Sequence, residues 1–242
     1  MRHENNVDVY AQHGIWPDPQ AGAKRIQPEK NTMSLRAVIC TLLLIPALLP
    51  PVQAATQDPA QVVRDTSTQV IERLRAEKKE LQADPGRLYE LVNKLVVPHF
   101  DFESMSRWVL GKATWNAATP QQREAFMEEF KTLLVRTYAK ALLQYTDEDI
   151  KYFPAQGNPG SSLVIVKTEV QQPGGSGNIP IQYRMHLQDG SWKVVDVVVD
   201  ATSLIITFRG EYSSLVQKIG LDALIQRIKD KNDKLVTTSA EQ

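Results

Sequence analysis

The sequence predicts an α+β domain, on three observations. Apolar residues recur at three- and four-residue steps from Asp58 to about position 145. After Asp147 the period falls to two, over four runs separated by turn-forming stretches. Helical spacing then returns over residues 203–233. The expected architecture is N-terminal helices, a four-stranded antiparallel curved sheet, and C-terminal helices packed back on it.

Ahead of these elements stands the one strongly apolar run of the chain, residues 37–49, preceded by Arg36 and followed by Pro50, Pro51 and the small-residue site Val52-Gln53-Ala54. A positive start, a short apolar middle and small residues for a peptidase make a secretory signal. The run is shorter than the roughly 20 residues that a membrane span requires. Residues 33–54 are therefore the expected signal peptide, with Met33 as the expected start and residues 1–32 as an upstream extension. Residues 55–242 are expected to form a single domain. Cys40, the single cysteine, leaves with the signal, so thiol chemistry, disulfides and cysteine-held metals are excluded from the mature chain. Of 28 basic residues five leave as well (Arg2, Lys24, Arg25, Lys30, Arg36), and of 28 acidic ones four (Glu4, Asp8, Asp18, Glu29), leaving 23 and 24. A near-neutral chain whose longest Lys/Arg run is Lys78-Lys79 lacks the footprint of a nucleic-acid binder.

The first helix is predicted over residues 58–82, where Val62, Val63, Val70, Ile71 and Leu74 share a face and Asp58-Pro59 supplies a cap and a first-turn proline. Asp84-Pro85-Gly86 ends it. A second helix follows, with Leu88, Leu91, Val92, Leu95 and Val96 on one side, stopped before Pro98; a short third, residues 102–110, ends at Gly111. Thr119 caps and Pro120 opens a long helix reaching about residue 145, with Phe126, Phe130, Leu133, Leu134, Tyr138, Ala141 and Leu142 on a broad apolar face. Strands are predicted over residues 149–156, 162–171, 179–188 and 191–200, and Asp189-Gly190 is the strongest hairpin signal. In the third strand Ile179, Ile181, Tyr183, Met185 and Leu187 face one way and Gln182, Arg184 and His186 the other, which predicts one buried and one wet side. Val197-Val198-Val199 predicts a last strand covered on both faces or central in the sheet. Two helices close the chain, over residues 203–217 (Leu204, Ile205, Phe208, Tyr212, Leu215) and 221–233 (Leu224, Ile225, Ile228).

Catalytic constellations are sparse. The mature histidines, His99 and His186, stand in no metal-ligand spacing, and no phosphate loop or nucleophile elbow is present. Asp196 is the sharpest single residue, a carboxylate inside a valine-rich strand, where a lone charge is costly unless paired. Two readings stand: a pocket acid/base, or a structural ion pair with Arg184 or Arg209.

Several stretches together resemble one family. Phe100-Asp101-Phe102-Glu103-Ser104-Met105-Ser106-Arg107 with Val109-Leu110-Gly111, then Trp115, Thr119-Pro120-Gln121-Gln122-Arg123 and Phe126, are similar to the central block of the toluene-tolerance, MlaC-type family of periplasmic phospholipid-binding proteins. Tyr138-Ala139, Leu142 and Tyr145, Gly190-Ser191-Trp192-Lys193-Val194-Val195-Asp196-Val197, Ser203-Leu204 through Phe208-Arg209, and Gly220-Leu221-Asp222-Ala223-Leu224-Ile225 continue the resemblance in order, over residues 58–233. The chain departs at Ala201-Thr202, where the family often has a glycine, and at Thr207-Phe208-Arg209, where it usually has Asn-Tyr-Arg. The resemblance implies an NTF2-like sheet with an apolar cavity between sheet and helices. It also implies a monomeric periplasmic carrier without cofactor or catalytic activity, serving outer-membrane lipid asymmetry. Its partners would be a phospholipid, an outer-membrane lipoprotein–porin complex and an inner-membrane ABC transporter with an MCE-domain ring.

For such a carrier the periodicity offers wall candidates: Val164, Val166, Ile181, Tyr183 and Met185 from the sheet, with Met105, Trp108, Leu134 and Tyr138 from the helices. Arg107 and Arg209 are the candidates for contact with a head group at the rim. Two readings compete. One is an NTF2-like enzyme using Asp196, which requires that carboxylate to point into the cavity beside a Tyr or His; the other is a structural or chaperone-like periplasmic protein with a filled core.

Overall fold

A computed structural model describes residues 57–145, 148–158, 160–172 and 177–240, without the side chains of residue 145 and residues 237–240. The expected extension and signal peptide lie outside the described residues. Within the unit Thr56–Gln242 the first helix, α1 (Pro59–Ala76), starts where Asp58 accepts a hydrogen bond from the Ala60 amide and Pro59 sets the first turn. It stops at Glu77 and gives way to α2 (Lys78–Ala83), so the single helix expected over residues 58–82 is two. Asp84 does not merely end it: its carboxylate caps α3 (Pro85–Leu95) by accepting from Gly86 and Arg87. A 3₁₀ turn (Val97–His99) leads to α4 (Phe102–Leu110), capped by Asp101. The unexpected short α5 (Lys112–Ala117) follows. Thr119 and Gln122 form a reciprocal capping box at the head of α6 (Pro120–Leu142).

The antiparallel sheet has the order β1 (Asp149–Tyr152), β2 (Leu163–Gln171), β3 (Ile179–Gln188), β4 (Ser191–Val199) and β5 (Thr202–Ser203), then α7 (Leu204–Ile219) and α8 (Leu221–Ala240). The fifth strand, two residues long, was not expected. The β3–β4 turn has φ of +49° at Asp189 and +76° at Gly190, the pair of left-handed residues that a two-residue hairpin of matching twist demands. Ser203 caps α7 through its hydroxyl, so one residue ends the sheet and starts the helix.

Leu74, Leu81, Leu88, Leu91, Val92, Val135 and Ala139 pack α1, α2, α3 and α6 together. Phe130 and Tyr212 join α6 to α7, with Phe208 edge-on to Phe130 at 5.2 Å between centroids. Asn232, 1% exposed, reaches from α8 to the Glu129 carbonyl and carboxylate at 3.0 and 2.7 Å. Each fully buried Leu or Phe contributes about 1.5–3 kcal/mol.

The expectation of one buried and one wet side of β3 is corrected. Arg184, assigned to the wet side, is 2% exposed, because α4 and α7 cover that face. Ile181 and Tyr183, on the apolar side, are only half-buried. Val198 is buried while Val199 is 39% exposed, so β4 is not covered on both faces at its end; there it lies between β3 and β5, the other arrangement its valines allowed.

Candidate functional site

The sheet register places the predicted strand residues on one face. Val164 pairs with Met185 and Val166 with Tyr183, while Thr168 pairs with Ile181. Ile150 and Tyr152 of β1 extend the face through Val170 and Thr168. On β4 the alternation is broken. Arg184 pairs with Asp196 but Met185 with Val194, so Val195 is an extra residue and the strand bulges there. Trp192 and Val194 before the bulge, and Val197 and Val199 after it, therefore share the apolar face. Without it, Asp196 would share the face of Val194.

Asp196 is turned to the opposite face. Its Oδ2 accepts from Arg184 Nη1 and from the Ser203 hydroxyl, both at 2.7 Å, and its Oδ1 from the Ile205 amide at 3.2 Å. Burial pushes its carboxyl up, and those donors pull it back. The ion-pair reading with Arg184 holds, and Asp196 is not turned to the apolar face beside a Tyr or His as the acid/base reading requires. Nearby, His186 Nε2 lies 2.8 Å from Asp101 Oδ2. Burial alone would raise the Asp101 carboxyl; the His186 ring beside it and the hydrogen bonds from Ser104 outweigh it and hold the value down at about 2.

The apolar face is sealed at one end and accessible at the other. Val62 and Val63 of α1 cover Val166, Met185 and Val194, with Phe100, Tyr152, Val164, Tyr183, Trp192 and Val197 packed partly around them. Ile150, Ile179, Ile181 and Val197 keep surface accessible, as does Val199.

Among the described residues, shallow open concavities lie elsewhere on the surface. One of about 380 Å³ lies among Ala113, Ala117, Gln122, Val216 and Leu221, and one of about 460 Å³ among Arg64, Gln69, Glu72 and His99.

The sequence model of the MlaC protein family matches residues 64–230. The chain belongs to the MlaC family. It is 30% identical over 182 residues to the toluene tolerance protein ttg2D of Pseudomonas putida, covering 75% of this chain and 83% of that one. To the intermembrane phospholipid transport system binding protein MlaC of Haemophilus influenzae it is 23% identical over 193 residues, 79% of this chain and 90% of the other. A phospholipid-binding protein from Ralstonia solanacearum, solved in complex with a phospholipid, shares the fold with a TM-score of 0.68 and 25% identity. That match covers 74% of this chain and 99% of the other.

In this MlaC-family chain the nine wall candidates separate. The five strand residues are together on the face just described, Val166 and Met185 fully buried and the others partly open. Met105 (fully buried), Trp108 (half-buried), Leu134 (8% exposed) and Tyr138 (41% exposed) lie on α4 and α6, outside the cluster that α1 builds on the sheet. Arg107 is exposed and donates to the Ser104 hydroxyl at 3.2 Å. Arg209 donates to the Trp108 carbonyl at 3.1 Å, fastening α7 to the last turn of α4. Sequence reasoning missed Val62, Val63 and Phe100 as the cover of the face, and Tyr152 and Val197 as part of it. The Ile150/Tyr152 alternation was the available signal for Tyr152, whereas the bulge that turns Val197 had none.

Proposed function

We propose that the chain is a phospholipid carrier of the periplasm, exported by the signal at residues 33–54. In this reading it passes lipid between an outer-membrane lipoprotein–porin complex and an inner-membrane ABC transporter with an MCE-domain ring, and so maintains outer-membrane lipid asymmetry. It acts as a monomer and catalyses no reaction. The reading is supported by the accessible apolar face of the sheet in a chain similar to a protein solved with a phospholipid.

Such a carrier answers a physical need. Two acyl chains expose roughly 30 methylenes, whose transfer to water costs about 20 kcal/mol or more at ~0.8 kcal/mol each. A shuttle must match the bilayer as a solvent and still let go at a partner, so its affinity changes with docking. Val164, Val166, Ile181, Tyr183 and Met185 would line the sheet wall, and the lipid would leave aside Met105, Trp108, Leu134, Tyr138, Arg107 and Arg209, which stand on α4, α6 and α7 outside that cluster. Tails would enter over Ile181 and Val197, where the face is open.

Native mass spectrometry of residues 55–242, purified from a Gram-negative host, is expected to show co-purified phospholipid. Ile181→Trp puts a large ring into the open part of the face and is expected to cut the lipid load several-fold with folding intact. A full load in that variant would remove Ile181 from the wall, and lipid-free wild-type protein would remove the function.

A further inference from the structure

The apolar face carries one polar patch. Tyr152 on β1 stands directly opposite Thr168 on β2, and Thr168 opposite Ile181 on β3, two positions from Tyr183. Side chains so placed on one face of a sheet are direct and diagonal neighbours. Thr168 is 2% exposed; its Oγ1 lies against the Tyr183 phenol but completes no hydrogen bond of ordinary geometry. Burial raises the Tyr183 phenol above its ordinary value, and the Thr168 hydroxyl beside it pulls it only partly back. Buried hydroxyls in folded proteins nearly always have partners, so one without asks for an explanation. Above Tyr152, on the exposed side of α1, the Arg64 guanidinium lies 4.3 Å from the ring centroid. The patch therefore runs from buried hydroxyls to a cation at the surface, bordered by Val166, Val170 and Ile181. A glycerophospholipid carries the matching series: hydrocarbon, ester carbonyls that only accept hydrogen bonds, and an anionic phosphate.

We propose that Thr168, Tyr183 and Tyr152 form a subsite for the ester carbonyls of a bound glycerophospholipid, and that Arg64 meets its phosphate at the lip. This rests on the carrier reading. It places the polar end of the lipid over the β1 side of the sheet, away from Arg107 and Arg209, which are engaged on α4 and α7.

The test loads purified protein from vesicles of dioleoyl phosphatidylglycerol and, in parallel, of its diether analogue, which lacks both carbonyls. Transfer to acceptor vesicles is timed, and retained lipid is weighed by native mass spectrometry. A single neutral hydrogen bond accounts for up to about tenfold in release rate. Thr168→Val and Tyr183→Phe are each expected to speed release of the diester several-fold and to leave the diether unchanged. Wild type is expected to release the diether faster than the diester. Arg64→Gln is expected to speed both and to flatten the dependence on salt. Thr168→Val keeps the side-chain shape, so the empty variant is expected to melt close to wild type, which separates a lost contact from misfolding. Wild-type rates in both hydroxyl variants, or equal acceleration of both lipids, would overturn the subsite. An unchanged rate and salt slope in Arg64→Gln would overturn its part. Wild-type protein that takes up neither lipid overturns the carrier reading itself.

Discussion

Asp196 and Arg184 are 1% and 2% exposed, so their charges are removed from water and are tolerable only as a pair held by further donors. Breaking such a pair from one side leaves an uncompensated buried charge and typically costs about 3–5 kcal/mol, whereas replacing both members by apolar groups of similar volume is often neutral. Asp196→Ala is accordingly expected to lose about that much in urea unfolding, and Arg184→Met with Asp196→Val much less. Equal losses in the single and the double variant would show that the pair is not what holds the junction of β4 and α7.

At the scale of the element, the β4–β5 turn is the most strained connection. Asp200 and Ala201 have φ of +48° and +63°, a left-handed pair such as a two-residue hairpin needs, but without a glycine. An alanine there costs about 1–2 kcal/mol, part of which a glycine recovers against its greater freedom when unfolded. Ala201→Gly is expected to raise stability by about 0.5–1 kcal/mol, read as a higher urea midpoint at constant slope.

What could be foreseen of these elements follows the same local chemistry. Caps and turns were legible because Asp58-Pro59, Thr119-Pro120 and Asp189-Gly190 act on their own backbones. The break at Glu77 was not, since Ala76, Lys78 and Lys79 are all good helix formers. Neither was the bulge at Val195, because a run of valines reads the same whichever face each residue takes. That the strand candidates share one face was legible as alternation. Its cover by α1 was not, because periodicity reveals which stripe of a helix is apolar but not which layer it meets.

For the molecule as a whole, the joint between helices and sheet centres on Asp101. It caps α4 through the Ser104 amide, binds His186 on β3, and hangs its own amide on the Val194 carbonyl at 2.9 Å. A carboxyl held at about 2 instead of the ordinary 3.8 stabilises the fold above the higher value, and that contribution is lost as pH falls from about 4 to about 2. At the usual conversion this is about 2 kcal/mol. Asp101→Asn keeps the cap but cannot ionise, so the difference in stability between wild type and variant is expected to shrink over that interval, measured by urea unfolding at pH 5 and pH 2.5. A difference that does not change with pH would assign the stability to the cap alone.

The two margins of the sheet are four and two residues long, and the rest of β4's outer side is partly occupied by Phe100 and Asp101. A foreign strand would find almost no free ladder on which to grow, which is how natural sheets avoid templating fibrils. A chain that leaves part of an apolar face open is thereby spared the other common route to self-association, leaving sticky side chains without a backbone seam for them to propagate along.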